Sequence, residues 1–307
     1  GRHVAAFDRN QSRGQIPALL TQGQSVWLDT LSRDLVKNGA LASLVKRGVR
    51  GMTSNPTIFA AALRSGSAYD DDIRRLVDEG LTPAEVFESL EVKDIQDACD
   101  VLRPIYDSSN GADGFVSIEV SPVCARNTNA SIDEGRRLWR RVARPNLLVK
   151  IPGTKEGRPA IETLLTLRLP IDRVTSVASF FVSRVDTAVD KLLDDRNREL
   201  RGKAGIANAK VAYAQFRERF DGPRFDALRR RGARVQRPLW ASTGTKNPAY
   251  SDVMYVEGLI GPDTINTLPE KTLDAFADHG VVKRTVDAGV DEARRSLDAL
   301  TKAGIDL

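Results

Sequence analysis

An amine stands where an apolar strand should run on. The segment Leu147-Leu148-Val149-Lys150-Ile151-Pro152 is hydrophobic except at Lys150. A strand covered on both faces of a parallel sheet reads as a near-continuous apolar run, and the C-terminal ends of such strands are where α/β barrels place their chemistry. Two more strand-like runs carry carboxylates at comparable places. Ser25-Val26-Trp27-Leu28-Asp29 closes on an acid, with Trp27 and Asp29 on one face and Val26 and Leu28 on the other. Phe115-Val116-Ser117-Ile118-Glu119-Val120 alternates so that Val116, Ile118 and Val120 share one face and Ser117 and Glu119 the other. Thr53-Ser54-Asn55-Pro56 adds Asn55 as an orienting amide. Taken singly, each charged residue reads more readily as a polar strand end reaching solvent than as a catalyst. Taken together, one amine and two carboxylates on three strands suit imine chemistry. A lysine attacks a ketone only as the neutral amine, so a partly apolar cavity must lower an ordinary lysine pKa of about 10.4. The carboxylates then supply the proton transfers of carbinolamine dehydration and carbon–carbon cleavage. The protonated imine stabilises the carbanion left behind, and that step requires no metal.

Composition narrows the alternatives. The chain has 307 residues with only two cysteines, Cys99 and Cys124, whose spacing suits neither a disulfide framework nor a zinc site. Its two histidines, His3 and His279, lie in segments that look peripheral, which leaves a serine or cysteine hydrolase triad without a base. No run of about 18 apolar residues predicts a membrane helix, and Gly1-Arg2-His3-Val4-Ala5 does not read as a signal peptide, so a cytoplasmic location is expected. The net charge of +5 is spread among acids, with Arg229-Arg230-Arg231 reading as a solvated helix end. Phosphorylated metabolites suit that balance better than nucleic acid does.

Positioning these residues requires a β/α repeat. Apolar runs predict strands near 25–29, 50–54, 115–120, 147–151, 175–181, 237–242 and 263–267, with helical periodicity between them. Thr82-Pro83-Ala84-Glu85 reads as a capping box with proline at the first helical position, and Ser131-Ile132-Asp133-Glu134 as a second box. Ile206, Ala209, Tyr213, Phe216 and Phe220 form one apolar stripe, and Val286, Val290, Ala293, Leu297 and Leu300 another. Nothing in the composition divides residues 1–307, which reads as one domain with 1–20 an irregular lead-in. A dinucleotide fold is disfavoured because no strand is followed by a G-x-G-x-x-G turn. The expected class is α/β, a (β/α)8 TIM barrel.

With the strands assembled, the sequence resembles the transaldolases, in their actinobacterial form, which are Schiff-base aldolases of class I. The resemblance is carried by Trp27-Leu28-Asp29, Thr53-Ser54-Asn55-Pro56, Ser117-Ile118-Glu119-Val120, Val149-Lys150-Ile151-Pro152, the run from Ser176 to Asp186, and Arg237 to Gly244, in the family's order over roughly residues 23–280. It implies a barrel enzyme, without a cofactor, that moves a dihydroxyacetone unit from a ketose phosphate to an aldose phosphate. By position, Lys150 resembles the Schiff-base lysine, Asp29 the acid/base at the breaking bond, and Glu119 the residue that works through a water. Asn55, Ser179 and Phe181 resemble residues lining the site. Arg184, Ser242 and Lys246 resemble its phosphate side.

One departure stands out. Between the Lys150 and Ser179 strands the family has another strand and flanking helices, whereas here only Gly153 to Arg173 intervene. Ala160 to Leu165 reads as a helix, and Thr166-Leu167-Arg168-Leu169-Pro170-Ile171-Asp172 is too short for a strand and a second helix. The sequence therefore supplies seven strands where eight are expected. Either a segment is missing from the sequence as read, or the barrel is open at this point. Two further functions stay in play, a transferase with another acceptor such as ribose 5-phosphate, yielding an octulose phosphate, and a degenerate barrel that binds sugar phosphates without turnover.

Overall fold

The computed structural model describes residues 14–166 and 170–306. Strands form at all seven predicted places: β1 (Gln24–Leu28), β2 (Gly51–Met52), β3 (Val116–Glu119), β4 (Leu147–Lys150), β5 (Val177–Phe181), β6 (Arg237–Ala241) and β7 (Thr264–Leu268). The first eight helices are α1 (Gln15–Thr21), α2 (Arg33–Lys37), α3 (Ala40–Lys46), α4 (Pro56–Arg64), α5 (Asp70–Asp78), α6 (Pro83–Ser108), α7 (Thr128–Val142) and α8 (Gly157–Leu165). After β5 come α9 (Ser183–Val189), α10 (Ala204–Phe220), α11 (Pro223–Arg229), α12 (Met254–Glu257), α13 (Glu270–His279) and α14 (Val290–Lys302). Parallel strands separated by helices give an α/β chain of the expected barrel class. Among the described residues no eighth strand lies between β4 and β5. Internal contacts group the described chain into two compact units, residues 29–174 and residues 14–28 with 175–306.

The first unit is built on β2, β3 and β4, side by side in that order. Val116, Ser117, Ile118 and Glu119 stand in register with Leu147, Leu148, Val149 and Lys150. Helix α6 covers β3 and runs for 26 residues from a well-capped start. Thr82 accepts from the Glu85 amide while Glu85 reaches back to the Thr82 amide, and Pro83 supplies a preset φ. Its inner face buries Val86, Leu90, Asp94, Ala98 and Leu102, stepping by four, with Glu91, Ile95 and Cys99 alongside. Phe59 stands edge-on to both Tyr69 and Phe87.

Asn146 fixes the entry to β4, its buried Nδ2 donating to the carbonyls of Cys99 and Gly114. Gly114 turns the chain into β3 at φ 83°, and a β-carbon there would fall on the Tyr106 backbone in α6. Both the left-handed backbone and the close approach demand glycine. Gly114→Ala is therefore expected to destabilise the chain by at least about 2 kcal/mol, read as a lower urea midpoint at unchanged slope.

The second unit orders its strands β1-β7-β6-β5, all parallel. Every residue of β1 and β7 is buried. Trp27 donates its indole N–H to Ser25 Oγ at 3.1 Å, which places residues two apart on one face, as alternation requires. Val182, Tyr213, Phe216, Trp240, Tyr255, Leu259 and Val286 form a core under α10, with Phe180 edge-on to Trp240. Strand β5, with β6 alone beside it among the described residues, exposes Ala178, Ser179 and Phe181.

Three predicted details differ. The Ser131 capping box does not form: α7 starts earlier, at Thr128, because Asn127 already accepts from the Ala130 amide. Ser131 then lies inside the helix, its hydroxyl donating to the Cys124 carbonyl. The stripe from Val286 to Leu300 is helical only from Val290, since Gly289 is left-handed and sets the start. The lead-in 1–20 contains part of α1, while residues 1–13 lie outside the described residues.

Candidate active site

The first unit gathers Asp29, Asn55, Glu119 and Lys150. Lys150 is the last residue of β4 and Glu119 the last of β3, and the parallel register makes them neighbours. Lys150 Nζ lies 2.9 Å from Glu119 Oε2, with the two side chains 30% and 18% exposed. Apolar β3 and β4 residues hold both at the edge of the core, where a charged pair is partly desolvated yet reachable by a small molecule. The separation is a proton-transfer distance.

Asp29 follows β1 directly, and Thr53 donates its hydroxyl to Asp29 Oδ1 at 2.8 Å. That contact orients one carboxylate oxygen. Two residues further, Asn55 caps α4, its Oδ1 accepting from the Ile58 amide at 3.0 Å. Between them the Ser54 amide donates to Ser117 Oγ at 3.3 Å, so Ser117, on the same strand face as Glu119, holds the Thr53-Ser54-Asn55 turn. Thr53 and Ser117 are the orienting residues that sequence reasoning did not assign. Their signal was their place within the two motifs.

The remaining predicted residues belong to the second unit. Ser179 and Phe181 lie on β5, with Ser179 in register with Leu239 and Phe181 with Ala241. Arg184, exposed in the first turn of α9, lays its guanidinium 4.7 Å over the Phe181 ring. Ser242 follows β6 in a left-handed conformation, φ 55°, unusual for a side-chain-bearing residue. Two contacts to Ser183 hold it there: the hydroxyls meet at 2.9 Å, and the Ser183 amide donates to the Ser242 carbonyl at 2.8 Å. Ser242 and Arg184 are thus brought together through Ser183. Lys246 sits exposed in the loop beyond.

Among the described residues no group of three or more His, Cys, Asp or Glu side chains could hold a metal ion, and no helix is long and apolar enough to cross a membrane. One carboxylate cluster departs from ordinary surface behaviour. The buried Glu91 of α6 is pushed up to about 8, by burial first and then by the charges of Glu88, Glu119, Asp94 and Glu134. Sequence reasoning missed it, because a glutamate in a predicted helix reads as solvated.

A paired amine and carboxylate at adjacent strand ends, with a second oriented carboxylate and an amide, can form and hydrolyse an imine. Comparisons with known proteins agree with that arrangement. The family described as transaldolase/fructose-6-phosphate aldolase matches the chain in two pieces, residues 26–170 and 166–307. The two pieces overlap at residues 166–170, between β4 and β5. A transaldolase of Thiobacillus denitrificans is 47% identical over 322 aligned positions, covering 93% of this chain and 90% of that protein. One from Mycobacterium ulcerans is 46% identical over 331 positions, covering 95% and 89%. A third, from Trichodesmium erythraeum, is 39% identical over 330 positions, covering 93% and 87%. These alignments are longer than the 307 residues of the chain, so the relatives carry residues that it lacks. With matches running nearly end to end, the chain belongs to the transaldolase/fructose-6-phosphate aldolase family.

Proposed function

We propose that this protein is a transaldolase that moves a dihydroxyacetone unit from a ketose phosphate to an aldose phosphate through a Schiff base on Lys150. The observation that carries the reading is the 2.9 Å contact between Lys150 Nζ and Glu119 Oε2. Lys150 attacks the ketose carbonyl carbon, and Glu119, already at the amine, handles the protons as the carbinolamine loses water. Asp29, oriented by Thr53, takes the proton from the hydroxyl next to the breaking bond. The electron pair of that bond passes into the protonated imine, and the first aldose leaves. The second aldose adds by the reverse steps, Asp29 returning its proton, and hydrolysis frees Lys150. Asn55 donates to a hydroxyl of the three-carbon unit. Ser179 and Phe181 line its binding place, while Arg184, Ser242 and Lys246 take the phosphate. A cytoplasmic location goes with such substrates.

Borohydride reduction in the presence of fructose 6-phosphate tests the reading. A covalent adduct at Lys150, found by peptide mass spectrometry, is expected, and an active preparation without it overturns the mechanism. The break in the family match motivates a second reading, a barrel that binds sugar phosphates without turnover. Production of sedoheptulose 7-phosphate from fructose 6-phosphate and erythrose 4-phosphate by the purified chain eliminates it. Replacing erythrose 4-phosphate by ribose 5-phosphate in the same assay tests the octulose-forming alternative.

Arg184→Lys keeps the charge but loses the planar fork and its seat on Phe181. KM for fructose 6-phosphate is expected to rise about tenfold while kcat stays within about threefold. Unchanged saturation kinetics would remove Arg184 from the phosphate side.

A further inference from the structure

We propose that Tyr250 and Asp190 form a positioning pair for the phosphate side of the site, a latch that ties the loop carrying Lys246 to the helix carrying Arg184. The proposal rests on the reading above, in which Arg184, Ser242 and Lys246 take the phosphate, and adds two residues to it. The Tyr250 hydroxyl donates to Asp190 Oδ2 at 2.7 Å. Asp190 Oδ1 accepts from the Gly202 amide at 2.9 Å, so both carboxylate oxygens are engaged and the group is held in one orientation. Gly202 is left-handed, φ 71°, and a β-carbon there would fall 2.9 Å from the Tyr250 ring, which lies against the bare glycine. Asp190 caps the C-terminal end of α9, whereas Arg184 stands in its first turn. One helical turn before Asp190, Asp186 makes the same two kinds of contact, accepting from the Tyr255 hydroxyl at 2.8 Å and the Gly205 amide at 2.7 Å. Asp186 and Tyr255 are buried in the core, while Tyr250 and Asp190 are half-buried.

The loop from Ser242 to Ser251 is thereby tied to α9 at both ends. At its start Ser242 meets Ser183 of α9, hydroxyl to hydroxyl and amide to carbonyl. At its far end Tyr250 meets Asp190. Lys246 lies midway between the two ties, exposed. Inside the loop, Asn247 Oδ1 accepts from the Ala249 amide at 3.0 Å and the Asn247 carbonyl from the Tyr250 amide at 3.0 Å, while Thr245 donates its hydroxyl to the Ser251 carbonyl at 2.8 Å. These local contacts give the loop its shape, and the ties to α9 set where that shape stands relative to Arg184. A lysine on a loose loop gives up backbone and side-chain freedom each time an anion binds, and that loss is subtracted from affinity. With the latch closed, the ordering is done when the chain folds. A hydroxyl donating to a carboxylate makes one of the stronger hydrogen bonds, which suits a tie at a half-buried place.

Tyr250→Phe tests the latch, since it removes one oxygen and keeps the ring against Gly202. KM for fructose 6-phosphate and for erythrose 4-phosphate is expected to rise about five- to tenfold, with kcat within about twofold of the parent. Dihydroxyacetone carries no phosphate, so its half-saturating concentration for borohydride trapping at Lys150 should stay within about twofold. Unchanged KM for both sugar phosphates overturns the proposal, as does an equal shift with dihydroxyacetone. A purely structural pair would lower the melting temperature and leave KM unmoved, and that result overturns it too. Should the Phe variant not fold, Asp190→Asn weakens the same bond from the other side and is read in the same way. Lys246→Met supplies the reference, expected to raise both KM values about tenfold. Adding Tyr250→Phe to it should raise them by less than about twofold more, because the latch acts through Lys246, and full multiplication of the two effects overturns the proposal. If Lys246→Met alone leaves KM unchanged, the phosphate reading fails, which is a different result from failure of the latch.

Discussion

Lys150→Met is expected to abolish transaldolase turnover, by a factor of at least about 10⁴, and to leave no borohydride adduct, while the chain stays folded. Methionine matches the length of the lysine stem and removes only the nucleophile. The fold should tolerate it because the Lys150–Glu119 pair is not fully buried, with side chains 30% and 18% exposed. Screening by solvent limits the loss of such a pair to about 1 kcal/mol. Glu119→Gln is expected to act differently, slowing turnover about 10²- to 10³-fold while an adduct still forms slowly, since it removes proton handling and keeps the amine. A coupled assay of sedoheptulose 7-phosphate formation measures both, with circular dichroism as the check on folding. Turnover within tenfold of the parent in the Lys150 variant would exclude an imine at this residue.

The second large effect concerns stability and lies away from the chemistry. Arg33, 4% exposed, donates from Nε to Asp94 at 3.0 Å and from Nη1 to Asp72 at 2.6 Å and the Ala68 carbonyl at 3.2 Å. Its guanidinium lies 4.3 Å over the Tyr69 ring, and the Tyr69 hydroxyl donates to Asp94 at 2.6 Å. This network ties α2, the turn before α5, and α6 together inside the first unit. Arg33→Met fits the space but leaves Asp94, 1% exposed, without its counter-charge. Breaking a buried pair in this way destabilises by about 3–5 kcal/mol, measurable as the fall in unfolding free energy in urea.

The pH dependence has a definite sign. Burial, opposed by Tyr69 and Arg33, already holds the Asp94 carboxyl above its ordinary value, and loss of Arg33 raises it further. A raised folded-state value means stability falls as pH rises from the unfolded to the folded value. The variant should therefore lag its parent more at pH 8 than at pH 5. Adding Asp94→Asn to Arg33→Met should restore part of the loss, and a double variant no more stable than Arg33→Met alone would refute the unpaired-charge explanation.

What the sequence disclosed, and what it hid, follows from the range of the forces involved. The strands were legible because Leu147 to Val149 is an unbroken apolar run, as a buried parallel strand needs, and Phe115 to Val120 alternates apolar and polar residues. The α6 start was legible for a similar reason, since Thr82, Pro83 and Glu85 act on one another within a single turn. At α7 two local signals competed, and Asn127 took the cap that Ser131 also offered. The Lys150–Glu119 contact required the register of β3 on β4, which periodicity suggested only as two residues ending neighbouring strands. The Arg33–Asp94–Tyr69 network was illegible because its partners lie far along the chain, and the burial of Glu91 was illegible because nothing in a helical heptad tells a glutamate facing water from one facing the core. The eighth strand was legible as an absence, because beyond one helix Gly153 to Arg173 is too short for a strand and a second helix; among the described residues none forms there, and the two pieces of the family match meet in the same stretch.

The cap on α4 also bears on how a sugar would be recognised. Because Oδ1 of Asn55 is engaged by the Ile58 amide, the flip of this side chain is decided before any ligand arrives, and what it can offer is the Nδ2 hydrogens. A freely rotating asparagine could present either end to a hydroxyl and would lose rotational freedom on binding it. Here that freedom is surrendered when the helix forms, so the polarity of the proposed contact, donor from protein to oxygen of ligand, is written into folding.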